Sequence, residues 1–275
     1  MNAYYNGVFG DMARLAVPLT DRSVFFGDGI YDACIGRNGK IFMPKEHTER
    51  FFRNARQMEL DAPSEEEMLG IFDRLISEND CECFFLYFQL SRRGKARAHA
   101  YDSSEANFLV TLTEIPTPSA ERRVKLIYTR DNRYELCSIK TVNLLPNVLA
   151  ARKALLAGAD EAVFVKDGIV TECAHSNIHI IKDGCLVTHP ADSSILPGIS
   201  RAHLLSVCRR LGVPISERKF TRAALAEADE VLITSTSKIC LLAERVGRES
   251  YASRDDSTGK KVQLEMFSEF YTATV

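Results

Sequence analysis

The stretch EAVFVKDGIVTECAHSNIHIIKDGCLVTH, residues 161–189, decides the fold class. Apolar, β-branched runs alternate in it with the triplet Lys-Asp-Gly, once at 166–168 and again at 182–184. An Asp-Gly pair supplies the positive-φ residues of a tight hairpin turn, so the spacing predicts two hairpins. Downstream, SRAHLLSVCRRLG (200–212) puts Leu204, Leu205, Cys208 and Leu211 on one helical face. A strand follows at EVLITST (230–236) and a helix around VQLEMFSEFYTAT (262–274). Upstream, VKLIYT (124–129) is a strand, and the later half of SIKTVNLLPNVLAARKALLAG (138–158) is a helix ending at Gly158. Hairpins mixed with separate helices point to an α+β fold, not a regular parallel βαβ series.

EIPTPSAERR (114–123) carries two prolines, which stiffen the chain and block sheet pairing. It divides the sequence into a small domain at 1–115, a linker at 116–121 and a larger domain at 122–275. In the first part, Asn38-Gly39 within YDACIGRNGKIFM marks a hairpin. PKEHTERFFRNARQMEL (44–60) has helical spacing in Phe51, Phe52, Ala55 and Met58, and SEEEMLGIFDRLISEN (64–79) is a second helix with Ser64 as N-cap. Two apolar strands, CFFLYFQLS (83–91) and NFLVTLT (107–113), flank the basic knot RGKARAH (93–99).

The 275 residues suffice for one large or two modest domains, and 45% hydrophobic and 26% charged content is ordinary for a globular protein. A net charge of −2 gives no global field to recruit nucleic acid or an anionic membrane. The eight cysteines are scattered and do not pair with histidines at metal-ligand spacing, so they are expected to be reduced, with no metal. The N-terminus lacks an apolar signal segment and no stretch approaches a membrane span, which gives the expectation of a cytoplasmic protein.

Several stretches could carry chemistry. In SILPGISRAHLL (194–205), Ser200 stands where free helix N–H groups could hold an anion; plain N-capping is the alternative. The hydroxyl cluster ITSTS (233–237) could hold phosphate or be a turn with satisfied hydroxyls. Neither usual nucleotide loop, G-x-x-x-x-G-K-[ST] or G-x-G-x-x-G, is present. Lys140 in SIKTVN is either an edge residue or a desolvated amine ready for Schiff-base chemistry. Glu172 could accept a hydrogen bond from a ring N–H⁺ or be a solvated strand-end charge. Arg50 could be a solvated helix residue, and Tyr31 a core residue with its hydroxyl at the surface.

Taken in order, FGDGIYD (26–32), HTERF (47–51), RG with a later R-x-H (93–99), SIKTVNLL (138–145), TECAHSNI (171–178), LPGISR (196–201) and TSTS (234–237) resemble the class IV, fold-type IV pyridoxal-phosphate aminotransferases. The resemblance covers most of the chain and implies a two-domain fold closing on pyridoxal 5'-phosphate. It implies that Lys140 is the Schiff-base lysine and the base that moves the α-proton, and that Glu172 faces the pyridine nitrogen. It assigns the phosphate to Arg50, Ile199 N–H, Ser200 and Thr236, and ring packing to Leu196. The R-x-H pattern is similar to that of the D-amino acid aminotransferases, in which Arg97, His99 and Tyr31 would hold the substrate carboxylate. Between Gly94 and Arg97 the loop is one residue shorter than that pattern, and His175 stands where small or hydroxyl residues are usual. In the family the loop reaches over from a partner subunit, which implies a homodimer. The implied reaction is amino transfer from an amino acid, D-alanine for example, to a 2-oxo acid. The alternatives are aminodeoxychorismate lyase, a branched-chain L-amino acid aminotransferase, and a non-catalytic binding protein on the same fold.

Overall fold

In a computed structural model, the structure describes residues 1–251 and 257–275. The chain forms two compact units. One comprises Met1–Thr117, Ile139–Asn143 and Ala273–Val275; the other comprises Pro118–Ser138 and Leu144–Thr272. The first passage between them falls inside the proline-bearing stretch, and Lys140 belongs to the first unit although it follows that stretch in sequence.

The first unit is built on six strands: β1 (Ala3–Tyr5), β2 (Val8–Gly10), β3 (Gly29–Arg37), β4 (Lys40–Ile41), β5 (Cys83–Arg92) and β6 (Ala106–Glu114). They are antiparallel throughout, in the order β2-β1-β6-β5-β3-β4. Asn38 and Gly39 both take positive φ, 50° and 77°, so the expected hairpin turn is present. The short helix α1 (Arg22–Phe26) precedes β3, and α2 (Pro44–Gln57) and α3 (Glu65–Ser77) follow β4. Ser64 caps α3 by accepting from Glu67 N at 3.1 Å. Strand side chains alternate between faces. Ile30 and Cys34 of β3, Phe84, Leu86, Phe88 and Leu90 of β5, and Phe108, Val110 and Leu112 of β6 therefore line one face, where they pack with Phe51, Ala55, Phe72 and Leu75 of the helices. Each fully buried phenylalanine contributes roughly 1.5–3 kcal/mol by leaving water. Asp32, between Ile30 and Cys34, lies in that same row.

The second unit holds ten strands: β7 (Arg123–Arg130), β8 (Glu161–Lys166), β9 (Ile169–Cys173), β10 (Asn177–Lys182), β11 (Cys185–Thr188), β12 (Ile215–Glu217), β13 (Phe220–Thr221), β14 (Glu230–Ser235), β15 (Ile239–Val246) and β16 (Glu249–Ser250). Their order is β12-β11-β10-β14-β15-β7-β8-β9-β13, with β16 beside β15. Both Lys-Asp-Gly turns form as expected, with Asp167 and Gly168 at φ 51° and 80°, and Asp183 and Gly184 at 50° and 74°. The helices are α4 (Leu145–Leu156), α5 (Ile199–Arg210), α6 (Arg222–Ala226) and α7 (Thr258–Ala273). Leu204, Leu205 and Cys208 of α5 are buried, but Leu211 is 45% exposed because the helix ends one residue before it. All eight cysteines are free thiols. Among the described residues no helix is long and apolar enough to cross a membrane.

His179 of β10 is fully buried, with ring nitrogens 2.8 Å from Thr188 Oγ1 and 2.9 Å from Thr234 Oγ1. Burial, helped by the Arg201 charge, pushes its imidazole down to about 3. Unfolded histidine titrates near 6.5, so between the two values the unfolded chain binds the extra proton and stability is lost as pH falls. Urea unfolding of wild type and His179→Gln at several pH values tests this. The wild-type stability advantage should shrink below about pH 6.5, with a slope approaching ~1.4 kcal/mol per pH unit. An advantage constant across that window contradicts it.

Candidate active site

In the first unit the chemistry gathers around β3. Its free edge binds the segment 139–143: Tyr31 N donates to Lys140 O at 2.9 Å, Val142 N donates to Gly29 O at 3.1 Å, and Ile30 and Thr141 form an antiparallel bridge. Asn143 Nδ2 donates to Gly27 O at 2.7 Å. Gly27 takes φ 62°, and a Cβ there would stand 2.5 Å from Asn143 Oδ1, so the glycine is required twice over. The Lys140 backbone is thereby fixed, and its Nζ lies 4.1 Å from the centre of the Tyr31 ring. The Tyr31 ring stacks on Tyr87 at 5.3 Å, and the Tyr87 hydroxyl donates to Gln89 Oε1 at 2.6 Å. Tyr31 is half-buried on the face opposite the core.

Arg50 is not a solvated helix residue: it is 4% exposed, and its Nε and Nη2 donate to the two Asp32 oxygens at 2.7 and 2.8 Å. His47, one turn earlier on α2, meets Asp32 Oδ1 through Nδ1 at 2.8 Å. Burial pushes the Asp32 carboxyl up, but Arg50 and His47 together pull it well below the usual carboxylate range. Burial pushes the His47 imidazole down despite Asp32. Asp32 and His47 were not singled out from sequence, although a charge inside the apolar pattern GIYDACI signals a required partner.

Arg97 and His99 are exposed on the loop between β5 and β6. Both face one ring: Phe26 lies 5.2 Å from the Arg97 guanidinium and 5.1 Å from the His99 ring. The rest of the knot divides. Lys95 is exposed, whereas Arg93 Nε donates to Asn107 Oδ1 at 2.9 Å.

In the second unit Glu172, at the end of β9, is buried. Its carboxylate accepts from Leu196 N at 3.1 and 3.2 Å, from Asn177 Nδ2 at 3.0 Å, and from Arg133. Arg133 also holds Asp131 at 2.8 Å and lies 4.4 Å from the Phe164 ring. Burial pushes the Arg133 guanidinium down, but Asp131 and Glu172 raise it further. The arrangement keeps the carboxylate buried and oriented. Arg133 carried no sequence signal, since only the fold brings it to Glu172.

Leu196 is half-buried beside that carboxylate. Ser200 does not cap α5: the N-cap is Gly198, and no side chain caps the helix. A Cβ on Gly198 would fall 2.1 Å from Asn177 Oδ1. The N–H groups of Ile199 and Ser200 precede the first intrahelical bond, from Ala202 N to Gly198 O at 3.0 Å. Thr236 begins the turn after β14. Beside it the buried Ser235 Oγ has no hydrogen-bond partner among the described residues. The turn ends at Ile239, a β-branched residue at φ 55°, which stores backbone strain. His175 is half-exposed; its N donates to Glu161 Oε1 at 2.7 Å and its Nε2 lies 3.2 Å from Lys238 Nζ, which also pairs with Glu161.

Replacing Asp32 with Asn removes the buried carboxylate that Arg50 and His47 both meet. The Asp32→Asn protein should lose about 3 kcal/mol or more in denaturant unfolding. A loss below about 1 kcal/mol, the level of an exposed ion pair, would show that Asp32 does not hold Arg50 in the folded protein.

Comparison with known proteins bears on this geometry. The profile of the family described as Amino-transferase class IV matches residues 29–244. A D-alanine aminotransferase of Staphylococcus epidermidis is 38% identical over 239 residues, 85% of each chain. The solved structure of a branched-chain aminotransferase from Thermoproteus uzoniensis with norvaline aligns with a TM-score of 0.89 and 22% identity, covering 97% of this chain and 93% of that one. A branched-chain amino acid aminotransferase from Escherichia coli aligns with a TM-score of 0.86 and 20% identity, covering 100% and 95%. The two structural likenesses establish the shared fold. With the profile spanning most of the sequence and the identity extending across most of both chains, the protein belongs to the class IV aminotransferases.

Proposed function

We propose that this aminotransferase uses pyridoxal 5'-phosphate to move the amino group of a D-amino acid, D-alanine being the leading donor, to a 2-oxo acid. The observation that carries the D-amino acid reading is the pairing of Arg97 and His99 over the single ring of Phe26. A planar guanidinium beside an imidazole suits a carboxylate. The Staphylococcus epidermidis D-alanine aminotransferase supports the same donor class.

The residues fit the cofactor. Ser235 Oγ is a buried hydroxyl without a partner among the described residues, and α5 begins at a glycine that leaves its first N–H groups uncapped by any side chain. Both suit a phosphate. Ile199 N–H, Ser200, Thr236 and Arg50 would hold that group, with Ser235 as an additional donor. Leu196 would pack on the pyridine ring. When bound, the cofactor supplies the electron sink for a carbanion at the substrate Cα. Glu172, oriented by Arg133, Asn177 and Leu196 N, would hold a proton on the pyridine nitrogen. Lys140 would carry the cofactor at rest and, once released, take the proton from Cα. Tyr31 would donate its hydroxyl to the substrate carboxylate. We further propose a homodimer in which Arg97 and His99 serve the partner's Lys140.

Borohydride reduction of cofactor-loaded protein should fix a pyridoxyl group on the peptide carrying Lys140 and leave Lys140→Ala unlabelled. D-alanine, but not L-alanine, should bleach the visible band of the loaded enzyme. Labelling at another lysine would contradict the assignment of Lys140, and a response to L-amino acids alone would contradict the donor class. Pyruvate release from aminodeoxychorismate, without a response to any amino acid, would favour the lyase.

Mixing inactive Lys140→Ala subunits with Arg97→Ala subunits, at a D-alanine concentration too low for Arg97→Ala alone to turn over, tests the dimer. If the loop serves the partner, mixed dimers regain one complete site and measurable activity. No regain after verified subunit exchange contradicts the sharing.

A further inference from the structure

The loop bearing Arg97 and His99 is exposed, yet its backbone is tied down by two arginines that share one carboxylate. Arg22 of α1 donates through Nε to Asp28 Oδ2 at 2.8 Å, through Nη2 to His99 O at 3.0 Å, and through Nη1 to Ala98 O. Arg92, at the end of β5 and 0% exposed, donates through Nε to the same Asp28 oxygen at 3.1 Å. Its remaining nitrogens serve three carbonyls: Glu59 O and Ser103 O, both at 2.9 Å, and Met58 O. Tyr101 lies against both guanidiniums, 3.7 Å from Arg92 and 5.6 Å from Arg22.

The base of this brace is itself fixed. Asp21 caps α1 through Ser23 N at 2.8 Å and accepts from Ser91 Oγ and Asn107 Nδ2, both at 2.6 Å, which anchors α1 to β5 and β6. Gly94 permits the close passage of the loop, since a Cβ there would stand 2.7 Å from Thr20 O. Phe26 completes the arrangement, contacting Arg22 at 4.7 Å as well as Arg97 and His99.

From this geometry we propose that Arg22, charge-balanced with Arg92 by Asp28, is a positioning residue that pre-organises Arg97 and His99 for the substrate carboxylate. The inference rests on the reading of Arg97 and His99 as the carboxylate site and adds what sets their place. One guanidinium holds the carbonyls of both Ala98 and His99, so the peptide units around His99 cannot rotate freely. Without it, the loop must be ordered by substrate, and that cost falls on binding rather than on proton transfer.

Steady-state kinetics with D-alanine on wild type, Arg22→Gln, Arg97→Ala and the double variant test the proposal. Arg22→Gln should raise KM about tenfold with kcat within about threefold, the scale of one or two charge-assisted hydrogen bonds. In the Arg97→Ala background, Arg22→Gln should add little, because the residue it positions is gone. Limited trypsin digestion should cut Arg22→Gln faster than wild type after Lys95 or Arg97. A wild-type KM in Arg22→Gln, or full additivity in the double variant, overturns the brace while leaving the carboxylate site standing if Arg97→Ala raises KM. A wild-type KM in Arg97→Ala overturns both. Should Arg22→Gln fail to fold, Arg22→Lys carries the same test, because it keeps the charge but cannot reach Asp28 and both carbonyls together.

Discussion

The buried pairing of Asp32 with Arg50 and His47 sets how α2 packs on the sheet of the first unit. Asp32 occupies the core-facing row of β3, between Ile30 and Cys34, with no exposure to solvent. A carboxylate there is costly unless paired and hydrogen-bonded. The fork of Arg50 and the imidazole of His47 meet that need, and only with α2 at one rotation and height over the sheet can both reach it. The same strand turns Tyr31 to its other face, beneath Lys140. The ion pair that fixes α2 thus also fixes the plane of the Arg50 guanidinium and the face of β3 on which Lys140 lies.

The heptapeptide FGDGIYD concentrates this logic. Phe26 is the ring on which Arg97 and His99 rest, and Gly27 admits Asn143. Asp28 balances two arginines, and Tyr31 and Asp32 face opposite sides of the sheet. Gly29 lies so close to β5 that a Cβ would sit 2.5 Å from Leu90 O. In the second unit the corresponding economy belongs to Asn177, which holds Glu172 and Leu196 O and leaves no room for a side chain at position 198.

Local chemistry made much of the fold legible. The turns at Asn38-Gly39, Asp167-Gly168 and Asp183-Gly184, the cap at Ser64 and the spacing of α2 depend on neighbours in sequence, and these were readable. The turn at Asn6-Gly7 carried the same signal in YYNGVF and joins β1 to β2. The capping alternative at Ser200 fails because α5's N-cap is Gly198, where Asn177, distant in sequence, leaves no room for a side chain. At the candidate site, the residue types taken in order pointed to the family. What sequence could not supply was the supporting shell. Arg133 beside Glu172, Arg22 beneath Ala98, and Lys238 with His175 and Glu161 are meetings of residues 39 to 77 positions apart, created only by folding.

In the proposed homodimer, Tyr31 of one subunit and Arg97 and His99 of its partner hold the substrate carboxylate while the first subunit's Lys140 works on Cα. A crystal structure of the protein with pyridoxal phosphate and a D-alanine adduct tests it most directly. The account predicts Arg97, His99 and the Tyr31 hydroxyl within hydrogen-bond reach, about 3 Å, of the carboxylate. It also predicts Lys140 Nζ beside Cα. A carboxylate bound by other residues, with Arg97 and His99 turned to solvent, would contradict it.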